Sequence, residues 1–309
     1  MGAITGTGWY APERVVPSEE VAERLGVSAD WIVRRTGIRQ RRFAAKETTV
    51  ADLAERAGRA AVEDAGTDPS AIDVVVLATS TAASPMPNTA AGVAHRLGLR
   101  SPAAFDVNAA CSGFCHALAC ADGFARAGTA RNVLVVGADK SSDWLDHDDP
   151  DTAALFADGA GAAVVTASDQ PRIGPVVWGS AGEHEDLVAI EPSERVIRQE
   201  GRAVFRWASG LAPVAREACR RSGVDPAELA GFVPHQANGR IIDALVRELG
   251  LGPTTAVARD VEQHGNTIAA TVPMALARMA RAGAVAAGSP VLLFGFGAGL
   301  AYAGQVVRL

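Results

Sequence analysis

A chain of 309 residues that is 48% hydrophobic, 21% charged and 5% aromatic can bury a large core without disulfides or metals. Its formal net charge of −6 excludes general nucleic-acid binding, which needs a basic surface to neutralise phosphates. The four cysteines, Cys111, Cys115, Cys120 and Cys219, are too few and too clustered for a disulfide framework, so reduced thiols and a cytoplasmic location are expected.

In chain order, "MGAITGTGWYAPERVV" has neither the basic start nor the apolar run of a signal peptide and goes straight into strand-like sequence. The basic cluster in "RRTGIRQRR" reads most plainly as a solvated face. "LAERAGRAAVEDAG" carries its apolar residues at three and four spacing, as an amphipathic helix does. "IDVVVLATS" is a short, almost continuously apolar run, which suits a strand covered on both faces, and a helix, "NTAAGVAHRLGL", follows. "CSGFCHALACADGFARAG" reads as a helix starting at or just after Cys111, and "NVLVVGAD" as another buried strand. The charged stretch "GEHEDLVAIEPSERVIRQEGRAVFRWA" is expected to be irregular until a helix begins near Val204. "GAVAAGSPVLLFGFGAGLAYAG" is the most apolar region, but Ser289-Pro290 and its many glycines make it a poor membrane span.

The second half repeats the first. "VAREACRRSGVDPAE", "LAGFVPHQA" and "NGRIIDALVRELGL" match the earlier helix, strand and helix, and "NTIAATVPMALARMARAG" with "VLLFGFG" matches the helix and strand after Cys111. Pairing Gly128 with Gly283 gives an offset of 155 (283 − 128), which carries Cys111 to Asn266. Two α/β units, 1–170 and 171–309, are therefore expected. They would stack as an α/β/α/β/α body around a shared buried helix layer.

Cys111 has the setting of a nucleophile. The reactive form of cysteine is the thiolate, and a helix N-terminus facing the sulfur should favour it. Gly113 leaves room for close approach to that first turn. Cys115 and Cys120 lie among alanine and leucine and read as small core hydrophobes. A metal site built on Cys111, Cys115 and His116 lacks the usual zinc-ligand spacing, so no metal is expected. His235 in "VPHQAN" and Asn266 in "QHGNT" are hydrogen-bond donors at similar element ends, where α/β proteins place ligand sites.

Together "NAACSGF", "PHQAN" and "HGNT" resemble the three signature motifs of β-ketoacyl-acyl-carrier-protein synthase III, of the thiolase superfamily; "SADWIVRRTGI", "FADGAGAAVV" and "GFGAGLAYAG" extend the resemblance along the chain. It implies a thiolase-like duplicated five-layer fold and a homodimer that needs no cofactor beyond its CoA thioester substrate. Cys111 would take a short acyl group from acyl-CoA. His235 and Asn266 would hold the thioester carbonyl of malonyl-acyl-carrier protein while it loses carbon dioxide, and the backbone N–H groups of Cys111 and Ala298 would form the oxyanion hole. Trp31, Arg35 and Asn238 match CoA contacts, and Arg202, Arg206, Arg240 and Arg247 would dock the acidic carrier protein. Phe296 would line the acyl pocket, with Met86 reaching across from the partner subunit; methionine there would leave an adaptable pocket open to propionyl or branched starters.

Departures from the family's pattern are Ala298 within "FGAG", where glycine is common, and Pro150 and Asp151 where an arginine often lies near the nucleotide. Glu248 also replaces a basic residue beside Arg247, and the stretch between Gly182 and Glu200 is shorter. A biosynthetic thiolase would need a second cysteine in the closing glycine loop, and a hydroxymethylglutaryl-CoA synthase a glutamate after "VVVLA"; both are missing. The competing reading is transfer of the acyl group to a hydroxyl or amine without decarboxylation, against which the intact His235 and Asn266 speak.

Overall fold

The computed structural model describes residues 1–191 and 193–309. The chain opens with β1 (Gly2–Tyr10), then a ribbon of β2 (Arg14–Pro17) and β3 (Gln40–Phe43) that brackets helices α1 (Ser18–Leu25) and α2 (Ala29–Thr36). α3 (Val50–Asp64), β4 (Val74–Ala78), α4 (Thr89–Arg96), β5 (Ala103–Val107), α5 (Gly113–Ala127), β6 (Asn132–Lys140) and β7 (Asp158–Ala167) follow. β8 (Val177–Ser180) leads to a second ribbon, β9 (Val188–Glu191) with β10 (Val196–Gln199), and to α6 (Gly201–Ser209) and α7 (Ala212–Arg221). The chain ends with β11 (Gly231–Pro234), α8 (Gly239–Leu249), β12 (Ala256–Val257), α9 (Val261–His264), α10 (Thr271–Arg281), β13 (Pro290–Gly297) and β14 (Ala301–Arg308).

Two five-stranded sheets result, ordered β1-β7-β6-β4-β5 and β8-β14-β13-β11-β12. In both, three neighbouring strands are parallel (β6, β4 and β5; β13, β11 and β12) and the remaining two join by antiparallel pairing, so the second sheet repeats the first strand for strand. All residues of β4 and β6 are buried, as strands covered on both faces must be. Side chains alternate between layers. Val76 and Val135 join Phe114 and Leu118 of α5 and Val272 and Leu276 of α10 in the central core, whereas Val75, Leu77 and Val136 pack outward on Leu53 and Ala57 of α3 and Val93 of α4. On the far side, Phe232 and Leu292 meet Ala215 of α7 and Leu245 of α8. This is the duplicated five-layer α/β/α/β/α fold, with α5 and α10 as the buried middle layer.

The register of the duplication differs from the one expected. Each middle-layer helix is preceded by a single 3₁₀ turn, Ala110–Ser112 before α5 and Ile268–Ala270 before α10. Each turn starts on a non-glycine residue in the left-handed region, Ala110 at φ 45° and Ile268 at φ 53°. In each, an asparagine two residues upstream accepts the backbone N–H of that residue: Asn108 from Ala110 at 3.3 Å, Asn266 from Ile268 at 2.9 Å. The offset at this end is therefore 158 (268 − 110), which pairs Asn266 with Asn108 and Cys111 with Ala269, not Cys111 with Asn266. Helix length is the reason: α5 has 15 residues and α10 has 11, and since Gly128 is the C-cap of α5 whereas Gly283 lies one residue past the C-cap of α10, three of those four residues remain. An anchor placed at the helix C-termini carries that difference back to the N-termini.

The charged stretch after β8 is also more regular than expected. A 3₁₀ turn over Gly182–Leu187 and the β9–β10 ribbon occupy it, and α6 begins at Gly201, three residues before Val204. Ile190 and Ile197 anchor the ribbon on Trp144 and Leu145.

Candidate active site

A cavity of about 370 Å³ is lined by Cys111, His235, Asn266, Phe296, Gly297 and Ala298, with Arg35, Asp151, Arg202, Arg206, Asn238 and Arg240 also on its wall. Cys111 sits in the 3₁₀ turn between β5 and α5. Gly297, at the end of β13, passes so close that a Cβ there would lie 2.6 Å from the Cys111 Cβ and 2.7 Å from its sulfur. Only glycine lets β13 bring the next residue's N–H to this cysteine.

At Cys111 burial works against the ionisation that its place beside a helix favours. Burial pushes the thiol up to about 12, the negative charge of Asp139 adds to the rise, and the backbone N–H groups of Ala298 and of Cys111 itself oppose it. The turn therefore holds a neutral thiol. The same two N–H groups are positioned to meet any negative charge that develops beside the sulfur.

His235 continues β11 by one residue, its backbone N–H donating to the Phe294 carbonyl at 2.7 Å. The ring is 2% exposed and meets Phe296 edge-on at 5.3 Å. Burial lowers the imidazole to about 3, so it too is neutral at ordinary pH. Nδ1 lies 2.7 Å from the Thr271 hydroxyl. Asn266 is clamped by its backbone, its N–H donating to Leu155 and its carbonyl accepting from Ala157, each at 2.9 Å. Because Oδ1 accepts from Ile268, the amide nitrogen is the end left to donate elsewhere.

Asp139 and Thr271 belong to no motif in the sequence, yet the structure packs both around the site. Asp139 is fully buried in β6, and its carboxylate accepts the Ser80 N–H at 2.9 Å, the Thr79 and Thr81 hydroxyls at 3.2 and 2.9 Å, and the Ala269 N–H at 2.9 Å. Burial raises it to about 7 against the pull of those donors. The one available signal was a lone acid at the end of the apolar run "NVLVVGAD". Thr271 had none, since its partner His235 lies 36 residues away.

The residues matched to substrate contacts are less uniformly gathered. The Arg35 guanidinium lies 4.9 Å from the Trp31 ring centroid and pairs with Asp151 at 3.0 Å, so these three groups engage one another. Trp31 itself is not on the cavity wall. Asn238 caps α8 through Oδ1 and donates from its amide nitrogen to the Arg35 carbonyl at 3.1 Å. Arg202, Arg206 and Arg240 line the cavity, whereas Arg247 stands apart beside Glu248 at 3.6 Å. Met86 is 82% exposed and does not line the cavity of its own chain. Among the described residues no group of three or more His, Cys, Asp and Glu side chains is arranged to hold a metal ion.

Residues 105–182 match the family model for 3-oxoacyl-(acyl-carrier-protein) synthase III, and residues 219–309 match the model for its C-terminal part. A β-ketoacyl-(acyl-carrier-protein) synthase III of Streptomyces coelicolor is 50% identical over 309 residues, covering 99% of this chain and 98% of the relative; one of Streptomyces avermitilis is 49% identical with the same coverage. The crystal structure of a priming β-ketosynthase from a polyketide biosynthetic pathway has a TM-score of 0.97 at 44% identity, covering 100% of this chain and 96% of that one. The Aquifex aeolicus 3-oxoacyl-(acyl-carrier-protein) synthase III gives 0.96 at 37% identity, covering both chains fully. With this fold, this cavity and these matches along its length, the chain belongs to the β-ketoacyl-(acyl-carrier-protein) synthase III family of acyl-transferring condensing enzymes.

Proposed function

We propose that this enzyme joins a short acyl group from acyl-CoA to malonyl-carrier protein through Cys111, with His235 and Asn266 serving the decarboxylation. The Cys111 sulfur attacks the thioester carbonyl, the oxyanion is held by the N–H groups of Cys111 and Ala298, and CoA leaves as its thiol with the proton that Cys111 gives up. Malonyl-carrier protein then loses carbon dioxide. The electron pair of the broken C–C bond forms an enolate whose oxygen is met by His235 and Asn266. The enolate carbon attacks the acyl-cysteine, the C–S bond breaks with its electron pair going to the Cys111 sulfur, which takes a proton from water to restore the thiol, and a 3-oxoacyl-carrier protein departs. Transfer in two stages predicts ping-pong kinetics.

The observation that carries this reading is the meeting of Cys111, His235 and Asn266 on one cavity wall, with a neutral thiol and a neutral imidazole. Neutral partners suit a reaction that needs hydrogen-bond donors at a developing enolate without a fixed charge beside the thioester. Trp31, Arg35 and Asn238 are proposed to hold CoA, Phe296 and the partner's equivalent of Met86 to bound the acyl group, and Arg202, Arg206, Arg240 and Arg247 to receive the carrier protein. The working form is proposed to be a cytoplasmic homodimer without a cofactor, the halves meeting at residues 170 and 171 between β7 and β8. No helix among the described residues is long and apolar enough to cross a membrane.

Incubation of the protein with acyl-CoA and malonyl-carrier protein tests the reading by mass spectrometry. It predicts a 3-oxoacyl-carrier protein with release of carbon dioxide. An acyl adduct that malonyl-carrier protein fails to discharge, while a hydroxyl or amine acceptor succeeds, would contradict it.

A further inference from the structure

A neutral His235 carries one ring hydrogen, and its Nδ1 is 2.7 Å from the hydroxyl oxygen of Thr271. Thr271, the first residue of α10, is 2% exposed, and its hydroxyl also lies 2.9 Å from the Ile268 carbonyl. One hydroxyl hydrogen thus has two acceptors in reach. If it goes to Ile268, Nδ1 must donate to Thr271 and Nε2 is left bare. If it goes to Nδ1, the ring hydrogen sits on Nε2, which becomes a donor. The Ile268 carbonyl already accepts the backbone N–H of Thr271. It is satisfied without the hydroxyl, whereas the hydroxyl is the partner the structure gives Nδ1.

The duplicated half supplies an independent comparison. An offset of 158 takes Thr271 to Gly113, the first residue of α5. Ala78 pairs with Gly137 across β4 and β6, while His235 follows Pro234, the partner of Phe294, and so lies level with Gly295, the counterpart of Gly137. His235 therefore has Ala78 as its counterpart. A Cβ on Gly113 would lie 3.1 Å from the Ala78 Cβ, so the same two positions meet in both halves. In the first half the pair has no side-chain polar atoms; in the second it is a hydrogen-bonded threonine and histidine.

We infer that Thr271 is a positioning residue for the condensing reaction, its hydroxyl donating to His235 Nδ1 and so holding the ring hydrogen on Nε2, the nitrogen left for the substrate. This rests on the reading of His235 as a donor to the malonyl thioester oxygen. Decarboxylation puts negative charge on that oxygen, and a bare Nε2 lone pair would repel it. Thr271 gives up no proton in the cycle.

Two measurements test the inference. In histidine-labelled protein, two-bond proton–nitrogen spectra, with His235 assigned from the His235→Gln variant, should show the hydrogen on Nε2. In Thr271→Val, carbon dioxide release from malonyl-carrier protein should fall about 10²-fold, the cost of a lost oxyanion donor, while acylation of Cys111 by acetyl-CoA falls far less. Thr271→Ser should recover most of the loss. A wild-type ring hydrogen on Nδ1, an equal loss of both rates in Thr271→Val, or a serine variant as slow as valine would overturn the inference. Should valine prevent folding, the wild-type spectrum decides. A wild-type Cys111 that accepts no acyl group from any thioester would instead overturn the underlying reading, whatever the tautomer.

Discussion

The two helix N-termini of the middle layer are built alike and end differently. Before α5, the N–H groups of Cys111 and Ala298 face a sulfur on a cavity wall. The counterparts 158 residues away are Ala269 and Lys140, and there both donors are already taken: Ala269 N–H by the Asp139 carboxylate at 2.9 Å, and Lys140 N–H by the Thr81 hydroxyl at 2.8 Å. Duplication of one α/β unit provides two sets of converging backbone donors. One set is left for a substrate, and the other is filled by the chain's own oxygens. A buried acid is costly unless every oxygen is hydrogen-bonded, and the four donors on Asp139 meet that condition.

The comparison can be broken most sharply at Cys111. Cys111→Ala should abolish the acyl-enzyme and lower turnover by about 10⁴-fold or more, as loss of a nucleophile does; intact mass after incubation with acyl-CoA checks it. Next come the paired asparagines. Asn266→Ala should slow decarboxylation by about 10²-fold to 10³-fold. Asn108→Ala, which removes the same type of bond in the other half, should cost only about 1 kcal/mol of stability. Carbon dioxide release and denaturant unfolding on both variants separate the two outcomes.

At Gly297 the effect should be mixed. Gly297→Ala puts a methyl 2.7 Å from the Cys111 sulfur, so it should destabilise the protein by about 1–3 kcal/mol and slow acylation in stopped-time mass measurements. The last test reads the pH dependence of stability at Asp139. Its folded-state pKa of about 7 lies above the ordinary value of an unfolded aspartate, so between about pH 4 and 7 the folded state holds the proton that the unfolded state has lost. Its contribution therefore falls as pH rises through that window and levels off above it. Asp139→Asn should remove this downward component, seen as a flatter loss of stability from pH 5 to pH 8 in urea titrations. An unchanged slope would show that Asp139 does not titrate as its burial requires.

Much of this was readable from residue order. Continuous apolar runs such as "DVVVLA" and "NVLVVGAD" marked strands covered on both faces because that signal is local, and the repeat pointed to two halves because each copy keeps the same order of such local signals. Cys111, His235 and Asn266 stood out as reactive or donor residues at element ends. The pairing of Cys111 with Asn266 failed because α5 outruns α10, a difference visible only once both 3₁₀ turns are located. The burial that opposes ionisation of Cys111 is invisible in its neighbours, because it comes from β13, nearly two hundred positions away. Asp139 owes its role to Thr79, Thr81 and Ala269, distances in sequence that no spacing rule spans. The β9–β10 ribbon was hidden because neither "VAIE" nor "VIRQ" alternates apolar with polar residues, although in the structure Val188 and Ile190 turn inward while Ala189 and Glu191 are exposed.

The most direct measurement is peptide mapping of the protein after acylation by acyl-CoA, before and after addition of malonyl-carrier protein. One acyl group is expected on Cys111, none on Cys115, Cys120 or Cys219, and its loss on adding malonyl-carrier protein. Label on another cysteine, or label on Cys111 that persists, would contradict it.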